Sequence, residues 1–208
     1  MDRSSARTDP RVLGLTGGIA TGKSTVGDIL LRLGAVERID ADRVVHELLA
    51  HDARVQRRVR ERFGKTVFVD GDVDRAKLGA AVFGDAAALR DLEAILHPAV
   101  GKAARDRLAA LTGTDEVVIY DAVKLLQSEL LPRCNAVWVV TCESGAQRLR
   151  LQRDRGMTAE AAENRLGAQP QFQHDRVTAE IDNSGTREEL EMQVTDRWHE
   201  LLSTWSMS

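Results

Sequence analysis

The feature that most constrains this chain is a glycine-rich segment close to its N-terminus, Gly17-Gly18-Ile19-Ala20-Thr21-Gly22-Lys23-Ser24. The segment is a complete match to the pattern G-x-x-x-x-G-K-S. It follows the apolar run Val12–Leu15 and precedes a helical pattern that begins near Lys23. Because a strand, a loop and a helix succeed one another here, the pattern predicts a phosphate-binding loop (P-loop) rather than an ordinary glycine-rich turn.

The residue types in this loop predict its chemistry. Glycines allow tight turns that bring successive backbone N–H groups onto phosphate oxygens, and the N-terminus of the following helix attracts the same anion. The Lys23 ammonium can reach the β- and γ-phosphates, and the Ser24 hydroxyl can ligate Mg²⁺. We therefore expect the chain to bind a nucleoside triphosphate.

Composition narrows the possible function classes. The 208 residues are 43% hydrophobic and 29% charged, as in a soluble globular protein, and the net charge of −3 gives no reason to expect a nucleic-acid surface. Residues 1–10 are polar and predict a disordered tail, neither a signal peptide nor a membrane span. Cys134 and Cys142 lack metal-binding spacing and are expected to be free thiols in a reducing cytoplasm.

The order of apolar segments predicts an α/β fold. Strands are expected at Val12–Leu15, Val117–Tyr120 and Ala136–Val140, with a weaker one, broken by charges, at Val36–Ile39. Helical patterns lie between them, and a final helix is expected over Arg187–Trp205. Alternating strands and helices indicate a three-layer P-loop sandwich with a parallel sheet, in which ligands bind beyond the carboxyl ends of the strands.

One long segment departs from this alternation. Residues 44–111 are almost entirely helical in pattern, with a turn at Asp70-Gly71-Asp72. We predict that they form a helical insertion that binds the acceptor substrate. The nucleotide-binding core would then comprise residues 11–43 and 112–208, including a helical lid at about 144–170.

Two carboxylates follow the second predicted strand, at Asp40 and Asp42. If the backbone stays extended, side chains at positions i and i+2 point to the same side. Phosphoryl transfer to a hydroxyl needs a carboxylate that takes the proton, and Asp42 is the candidate, with Asp40 assisting or holding Mg²⁺ through water. Either aspartate is equally suited to cap the helix that begins at Arg43, and the pattern alone favours neither interpretation.

Further charged residues follow the later strands. Asp121 ends the strand from Val117 and suits the Walker-B acid that ligates Mg²⁺ directly or through water. The lid segment is rich in arginine: Arg148, Arg150, Arg153, Arg155 and Arg165. Guanidinium groups neutralise the charge that develops on a transferred phosphoryl group, so we predict that Arg150 and Arg165 contact ATP. For most of the others, a solvated helix face is the simpler interpretation.

Three more positions have two interpretations each. Arg75 either binds an anionic substrate or is merely exposed. His97 precedes a proline, and the pattern alone supports only a polar helix terminus. Asn183 lies in the segment Ile181–Gly185, where a fifth strand is expected to end; it either contacts the adenine base or forms a turn.

Taken together, these segments resemble the dephospho-CoA kinase family over about Val12 to Trp205. The resemblance depends on blocks in a fixed order: Leu15–Val26, Ile39–Asp42, Asp74–Leu78, Leu96–Pro98, Arg165-Leu166 with Ala168-Gln169, and Ile181–Thr186. The P-loop alone occurs in many unrelated proteins. Its combination with Asp-Ala-Asp, Leu-His-Pro and Ile-Asp-Asn-Ser-Gly is much more specific.

The resemblance implies ATP-dependent phosphorylation of the ribose 3′-hydroxyl of dephospho-CoA, the last step of coenzyme A synthesis, with Mg²⁺ and no nucleic-acid or membrane partner. A monomer or weak homo-oligomer is expected. The resemblance implies that Asp42 is the catalytic carboxylate, that Arg75 and His97 lie near the acceptor, and that the lid arginines lie among residues 148–155. It also implies that the ATP phosphates are held by Gly17, Gly18, Ile19, Ala20, Thr21, Gly22, Lys23, Ser24 and Thr25. From the residues themselves we add Lys23 and Arg150 to the catalytic set, Arg165 and Asn183 to the ATP-binding set, and Asp40 and Asp121 to the acceptor-binding set.

The chain also departs from the family pattern. Where the family shows Asp-x-Pro-Leu-Leu-x-Glu, this chain reads Asp121-Ala122-Val123-Lys124-Leu125-Leu126-Gln127. The proline and the glutamate are absent, and Lys124 has entered. Neither change touches the P-loop or Asp42, so activity is still expected, with altered kinetics.

Three alternatives stay open at this stage. The acceptor could be another nucleotide-like molecule, the chain could be a slow P-loop NTPase with a regulatory role, or it could be a non-catalytic relative. The Asn-Lys-x-Asp signature of many GTPases is absent, which favours ATP over GTP as the donor.

Overall fold

The protein is described here by a computed structural model covering residues 9–111 and 116–207. The predicted tail at residues 1–10 therefore lies mostly outside the described residues. The chain divides into two compact units, one comprising Asp40–Ala110 and the other the residues on either side of that segment.

A five-stranded sheet forms the centre of the unit that comprises the residues on either side of Asp40–Ala110. Its strands are β1 (Arg11–Gly17), β2 (Glu37–Asp40), β5 (Val117–Asp121), β6 (Ala136–Thr141) and β7 (Ala179–Asp182). The strand order is β2-β5-β1-β6-β7. Strand β1 pairs in parallel with β5 and β6, and β6 pairs in parallel with β7. The α/β class with a parallel sheet is thus confirmed, and the loop after β1 leaves the middle of the sheet.

Four helices belong to the same unit: α1 (Lys23–Arg32), α6 (Ser144–Arg155), α7 (Ala159–Gly167) and α8 (Arg187–Ser206). One face of the sheet packs with α1 and α8 in a single apolar cluster that includes Leu15, Ile119, Trp138, Ile29, Leu30, Val194 and Trp198. The Trp198 Nε1–H donates to the Leu33 carbonyl, 3.1 Å away, and so joins α8 to the end of α1. Trp205 is half-buried at the edge of this cluster.

The second unit is helical and has its own apolar core. It contains α2 (Ala41–His51), α3 (Ala53–Phe63), α4 (Arg75–Val82) and α5 (Ala86–Ala110). Its core includes Leu49, Val59, Leu78, Leu92 and Ile95. Aspartates at Asp40, Asp52 and Asp74 cap the first, second and third of these helices by accepting two backbone N–H bonds each, which is the preferred chemistry at a helix start.

The turn predicted at Asp70-Gly71 closes a short hairpin, which the sequence pattern did not predict. Strands β3 (Phe68–Val69) and β4 (Asp72–Val73) pair antiparallel across it. Asp70 and Gly71 both have positive φ, 51° and 99°. Asp-Gly is favoured in two-residue hairpin loops because both positions then tolerate this conformation.

The expected helix terminus at His97 is wrong. Helix α5 continues through Pro98 to Ala110. Proline cannot donate the bond that would reach the Ala94 carbonyl, but Leu96 and Val100 are buried on either side of it. Burial of these side chains outweighs the missing bond, so the helix does not end at the proline.

Among the described residues, no helix has the length and apolar character needed to cross a membrane. Cys134 and Cys142 flank β6 and are unpaired thiols, as predicted. Burial raises the pKa of Cys134 to about 11. Burial also raises the pKa of Cys142, and the nearby Arg150 guanidinium opposes that shift only in part. Burial thus disfavours the thiolate form at both positions.

Candidate active site

The P-loop runs from the end of β1 to the start of α1 in a conformation that requires glycine at two of its positions. Gly22 has φ 90°, and a Cβ there would overlap the Asn183 side chain. A Cβ on Gly17 would overlap the Val140 carbonyl of β6. Inside the loop, the buried Thr21 hydroxyl donates to the Gly18 carbonyl at 2.9 Å. The loop is therefore packed tightly against β6 and the segment after β7.

The start of α1 is open to an anion. Helix α1 begins at Lys23 after Gly22, which provides no side-chain cap, and its first turn contains no acidic residue. The first N–H groups of a helix have no partners within the helix, and the helix dipole concentrates positive charge at the same end. A phosphate group suits this position on both counts.

The Walker-B candidate, Asp121, forms ion pairs with two basic side chains. It is 1% exposed at the end of β5, beside β1. One carboxylate oxygen forms an ion pair with the Lys23 ammonium, and the other accepts from Nε (2.9 Å) and Nη2 of Arg38. Arg38 Nη1 also reaches Asp28 Oδ1 at 3.1 Å and the Ser24 carbonyl at 3.2 Å. Both oxygens of Asp121 are thus engaged before any ligand binds.

The donor set around the P-loop is compatible with Mg²⁺ held largely by the nucleotide. Within residues 9–111 and 116–207, no group of three or more His, Cys, Asp or Glu side chains could hold a metal. Mg²⁺ in phosphotransfer sites keeps several waters and takes few protein ligands besides substrate phosphates. The exposed Ser24 supplies such an oxygen, while Asp121 is already paired with Lys23 and Arg38.

Arg38 is a site residue that sequence reasoning missed. It lies in the middle of β2, between Glu37 and Ile39. In the sequence, the charged residues of this segment only weakened the prediction of a strand. The Arg38 charge was nevertheless the available signal for a site residue, because a cation in a strand of a parallel sheet needs an acidic partner nearby.

Arg150 of α6 contacts the loop through the backbone. Its Nη1 donates to the Ala20 carbonyl at 3.2 Å, and its Nη2 donates to the Asn183 carbonyl at 2.9 Å. Asn183 is itself buried, and its Nδ2 donates to the Thr21 carbonyl at 2.7 Å. Arg150 and Asn183 are therefore brought together at the P-loop, where they support Ala20 and Thr21. Their direct contact with ATP stays a prediction.

Two glutamines contact the same loop, and sequence reasoning assigned neither of them a role. The Ile19 N–H donates to Oε1 of Gln169 at 2.7 Å, and Nε2 of Gln147 donates to the Ile19 carbonyl at 3.0 Å. Gln147 lies on α6, and Gln169 lies two residues beyond the end of α7. Gln169 belongs to a block that carried the family resemblance, which was the available signal.

The other lid arginines differ in their surroundings. Arg148 forms an ion pair with Glu163 and so links α6 to α7, whereas Arg153 pairs with its neighbour Asp154. Arg165 is exposed and makes no hydrogen bond or ion pair to any residue that the structure describes. Its contact with ATP likewise stays a prediction.

In the helical unit, the structure separates the two aspartates that the sequence left ambiguous. Asp40 accepts from the N–H groups of Asp42 (2.9 Å) and Arg43 (3.1 Å) and is the cap of α2. The chain turns into the helix at Ala41, so the extended geometry considered for the two carboxylates is not formed. Asp42 lies in the first helical turn and is exposed, and its carboxylate accepts no bond from the described residues.

The remaining two acceptor-site candidates are also exposed in the helical unit. Arg75 is the first residue of α4, and His97 lies on α5. Neither side chain makes a hydrogen bond or an ion pair within the described part of the chain. A role in acceptor binding stays a prediction for Arg75, His97, Asp40 and Asp121.

Known proteins resemble this chain over nearly its whole length. The family model described as dephospho-CoA kinase matches residues 11–189. A dephospho-CoA kinase from Geobacter sulfurreducens is 40% identical over 191 residues, which span 90% of this chain and 96% of that protein. One from Streptomyces avermitilis is 42% identical over 193 residues, which span 91% and 93% of the two chains.

Solved structures agree on the fold. The crystal structure of TT1252 from Thermus thermophilus superposes with a TM-score of 0.77 at 27% identity, covering 93% of this chain and 99% of the other. A dephospho-CoA kinase from Campylobacter jejuni has a TM-score of 0.62 at 22% identity and covers 92% and 97%. With the sequence relatives and the matched family model, these findings establish that the chain belongs to the dephospho-CoA kinase family.

Proposed function

We propose that this protein transfers the γ-phosphoryl group of ATP to the 3′-hydroxyl of the ribose of dephospho-CoA, giving coenzyme A and ADP. The observation that carries the proposal is an intact P-loop with an open helix N-terminus, in a chain that matches the family model over residues 11–189. We further expect a cytoplasmic enzyme that is a monomer or weak homo-oligomer and needs no nucleic-acid or membrane partner.

On the donor side, the loop and the start of α1 bind the triphosphate. Lys23 exchanges its ion pair with Asp121 for the β- and γ-phosphate oxygens. Asp121 stays neutralised because Arg38 holds its other oxygen. When Mg²⁺ is bound, the Ser24 hydroxyl and the phosphates would hold it, and it would offset phosphate charge.

On the acceptor side, Asp42 is the general base. It accepts the proton of the 3′-hydroxyl, the hydroxyl oxygen forms a bond to the γ-phosphorus, and the bond from that phosphorus to the bridging oxygen of ADP breaks. The support for this role is that Asp40 supplies the cap of α2, which leaves the exposed Asp42 carboxylate unused by the fold. Arg75 and His97 are the proposed acceptor contacts.

The charge that develops on the phosphoryl oxygens needs a cation besides Lys23 and Mg²⁺. Arg150 is the proposed lid cation, because its contacts already place it at the Ala20 carbonyl. The exposed Arg165 is a second ATP contact in this proposal. A lid over the bound phosphates would also exclude water, which otherwise competes as the phosphoryl acceptor.

A coupled assay of ADP release with ATP and Mg²⁺, run with and without dephospho-CoA, tests the proposal when the product is read by mass spectrometry. We expect ADP release that depends on dephospho-CoA and a product heavier by one phosphate. ADP release that ignores dephospho-CoA would indicate another nucleotide-like acceptor or a slow NTPase. No ADP release with any acceptor would indicate a non-catalytic relative.

A further inference from the structure

We propose that Gln147 and Gln169 are positioning residues that together set the conformation of the P-loop for ATP, so that lid and loop act as one structural element. We call these two side chains the glutamine pair. The inference rests on the proposed function only in that the loop binds ATP. It assigns a role in that binding to two side chains that do not themselves belong to the phosphate-binding motif.

The glutamine pair engages both polar groups of one residue of the loop. Ile19 donates its N–H to Oε1 of Gln169 at 2.7 Å and accepts from Nε2 of Gln147 at 3.0 Å. Nε2 of the same Gln169 amide donates to the Leu166 carbonyl at 3.2 Å, which fixes the side chain against the end of α7. Ile19 is therefore held as it would be by a neighbouring strand, but by side chains of the lid.

The Gln147 side chain is buried, so losing its hydrogen bond to Ile19 would cost more than losing a contact on the surface. Gln147 is 6% exposed, and a buried amide that loses its partner carries a desolvation penalty. The space around Gly18 shows how closely the pair approaches. A Cβ on Gly18 would overlap Oε1 of Gln169 and would come within 3.3 Å of Nε2 of Gln147.

The neighbouring backbone explains why the loop needs such support. Ala20, directly after Ile19, has φ 57°, a left-handed conformation that is unfavourable for a residue with a Cβ. A strained residue persists when its surroundings over-determine it. Here Gln147 bonds the carbonyl of the peptide group before Ala20, Gln169 bonds the N–H of the peptide group before Ile19, and Arg150 bonds the Ala20 carbonyl. With the Ile19 N–H engaged by Gln169, the N–H groups at the start of α1 remain for phosphate.

A double-mutant cycle tests the proposal, with ATP affinity measured by isothermal titration calorimetry. The variants are Gln169→Ala, Gly18→Ala and the double variant. Gly18 lacks a left-handed φ, so its alanine is opposed by the glutamine pair rather than by the backbone. Each single change should weaken ATP binding about tenfold, and the double variant should also lose about tenfold rather than a hundredfold, since both changes break the same contact.

Two further measurements distinguish positioning from general stabilisation. In steady-state assays, the KM for ATP of Gln169→Ala should rise while the KM for dephospho-CoA stays at the wild-type value. Gln147→Ala should reproduce the loss of ATP affinity. Gln171→Ala is the matched control, because Gln171 is exposed and makes no hydrogen bond within the described residues; it should bind ATP as the wild type does.

The outcomes separate this inference from the proposed function. An ATP affinity unchanged in Gln169→Ala, or an additive hundredfold loss in the double variant, overturns the role of the glutamine pair alone. A wild-type protein that does not bind ATP overturns the proposed function, and this inference with it. Since the calorimetric test needs no acceptor, a different acceptor substrate leaves its result valid.

Discussion

The P-loop and the candidate acceptor residues differ in how much protein structure holds them. Residues Ile19, Ala20 and Thr21 are bonded by four side chains from outside the loop: Gln147, Gln169, Arg150 and Asn183. The side chains of Asp42, Arg75 and His97 are exposed and make no bond within the described residues. One set is fixed by contacts within the fold, whereas the side chains of the other set make no such contacts within the described residues.

The difference fits the roles proposed for the two sets. Backbone N–H groups recognise phosphate only when their directions are fixed in advance, so the protein commits many contacts to the loop. A general base and an acceptor-binding cation need to be accessible and unpaired, because a fixed intramolecular partner would compete with the substrate. Substitutions in the two sets should therefore have different signatures.

The largest effect should come from the acceptor set. Asp42→Asn removes the proton acceptor while preserving size, so turnover should fall about 10³-fold. The ATP dissociation constant should stay unchanged, because the Asp42 carboxylate makes no bond to any residue that the structure describes. Calorimetry and the coupled assay measure the two quantities. Asp52→Asn, at the cap of α3, is the control with normal turnover, and a parallel loss of ATP binding in Asp42→Asn would instead make Asp42 a metal or structural residue.

The next effect should come from the P-loop. Lys23→Ala removes the charge that stabilises the transferred phosphoryl group. Turnover should fall at least 10²-fold, which corresponds to a rise of ~3 kcal/mol in the activation free energy. Unlike Asp42→Asn, this variant should also bind ATP more weakly. Lys102→Ala, which breaks only an exposed pair with Asp106, serves as the control. Near-normal turnover of Lys23→Ala would remove the basis for the P-loop assignment.

A smaller effect, on stability, should come from Arg38. Arg38→Met leaves the buried Asp121 with Lys23 as its remaining cationic partner, and the free energy of unfolding should fall by ~2 kcal/mol. Urea titration measures this change. Arg32→Met, which loses an exposed pair with Glu191, should be close to wild type. An Arg38→Met protein as stable as wild type would show that Lys23 alone neutralises Asp121.

The smallest expected effect is on stability at Asp40, and it distinguishes a helix cap from a chemical role of the carboxylate. Asp40→Ala should lower the free energy of unfolding by ~1 kcal/mol through loss of the cap, whereas Asp40→Asn should preserve it, since asparagine is an equally good cap. Thermal unfolding and turnover are measured on both variants. Reduced turnover in Asp40→Asn at unchanged stability would assign the carboxylate a chemical role in addition to its structural one.

Most of the fold was predictable from local sequence patterns. Strands β1, β5 and β6 were predictable because each is a short apolar run next to a helical pattern, and the P-loop because its motif is contiguous. The hairpin at Phe68–Val73 was not predictable, since two-residue strands leave no periodicity to detect. At Pro98, tertiary burial overrode a strong local signal, which is a common reason for a misplaced helix end.

The site was predictable only where its residues are adjacent in sequence. Arg38 meets Asp121 across 83 positions, and Gln169 meets Ile19 across 150. Such pairs are made by the topology of the sheet and the lid, which no local pattern encodes. The choice between Asp40 and Asp42 was ambiguous for a different reason: both suit a helix cap, and only the backbone geometry shows which one serves.

The positions of the tryptophan and tyrosine side chains have a spectroscopic consequence. All three tryptophans, Trp138, Trp198 and Trp205, and the single tyrosine, Tyr120, lie outside the helical unit Asp40–Ala110. Intrinsic fluorescence therefore follows the unfolding of the unit that contains the five-stranded sheet, while far-ultraviolet circular dichroism follows the helices of both units. Coincident melting curves from the two signals indicate one cooperative transition, and separated curves indicate that the helical unit melts independently.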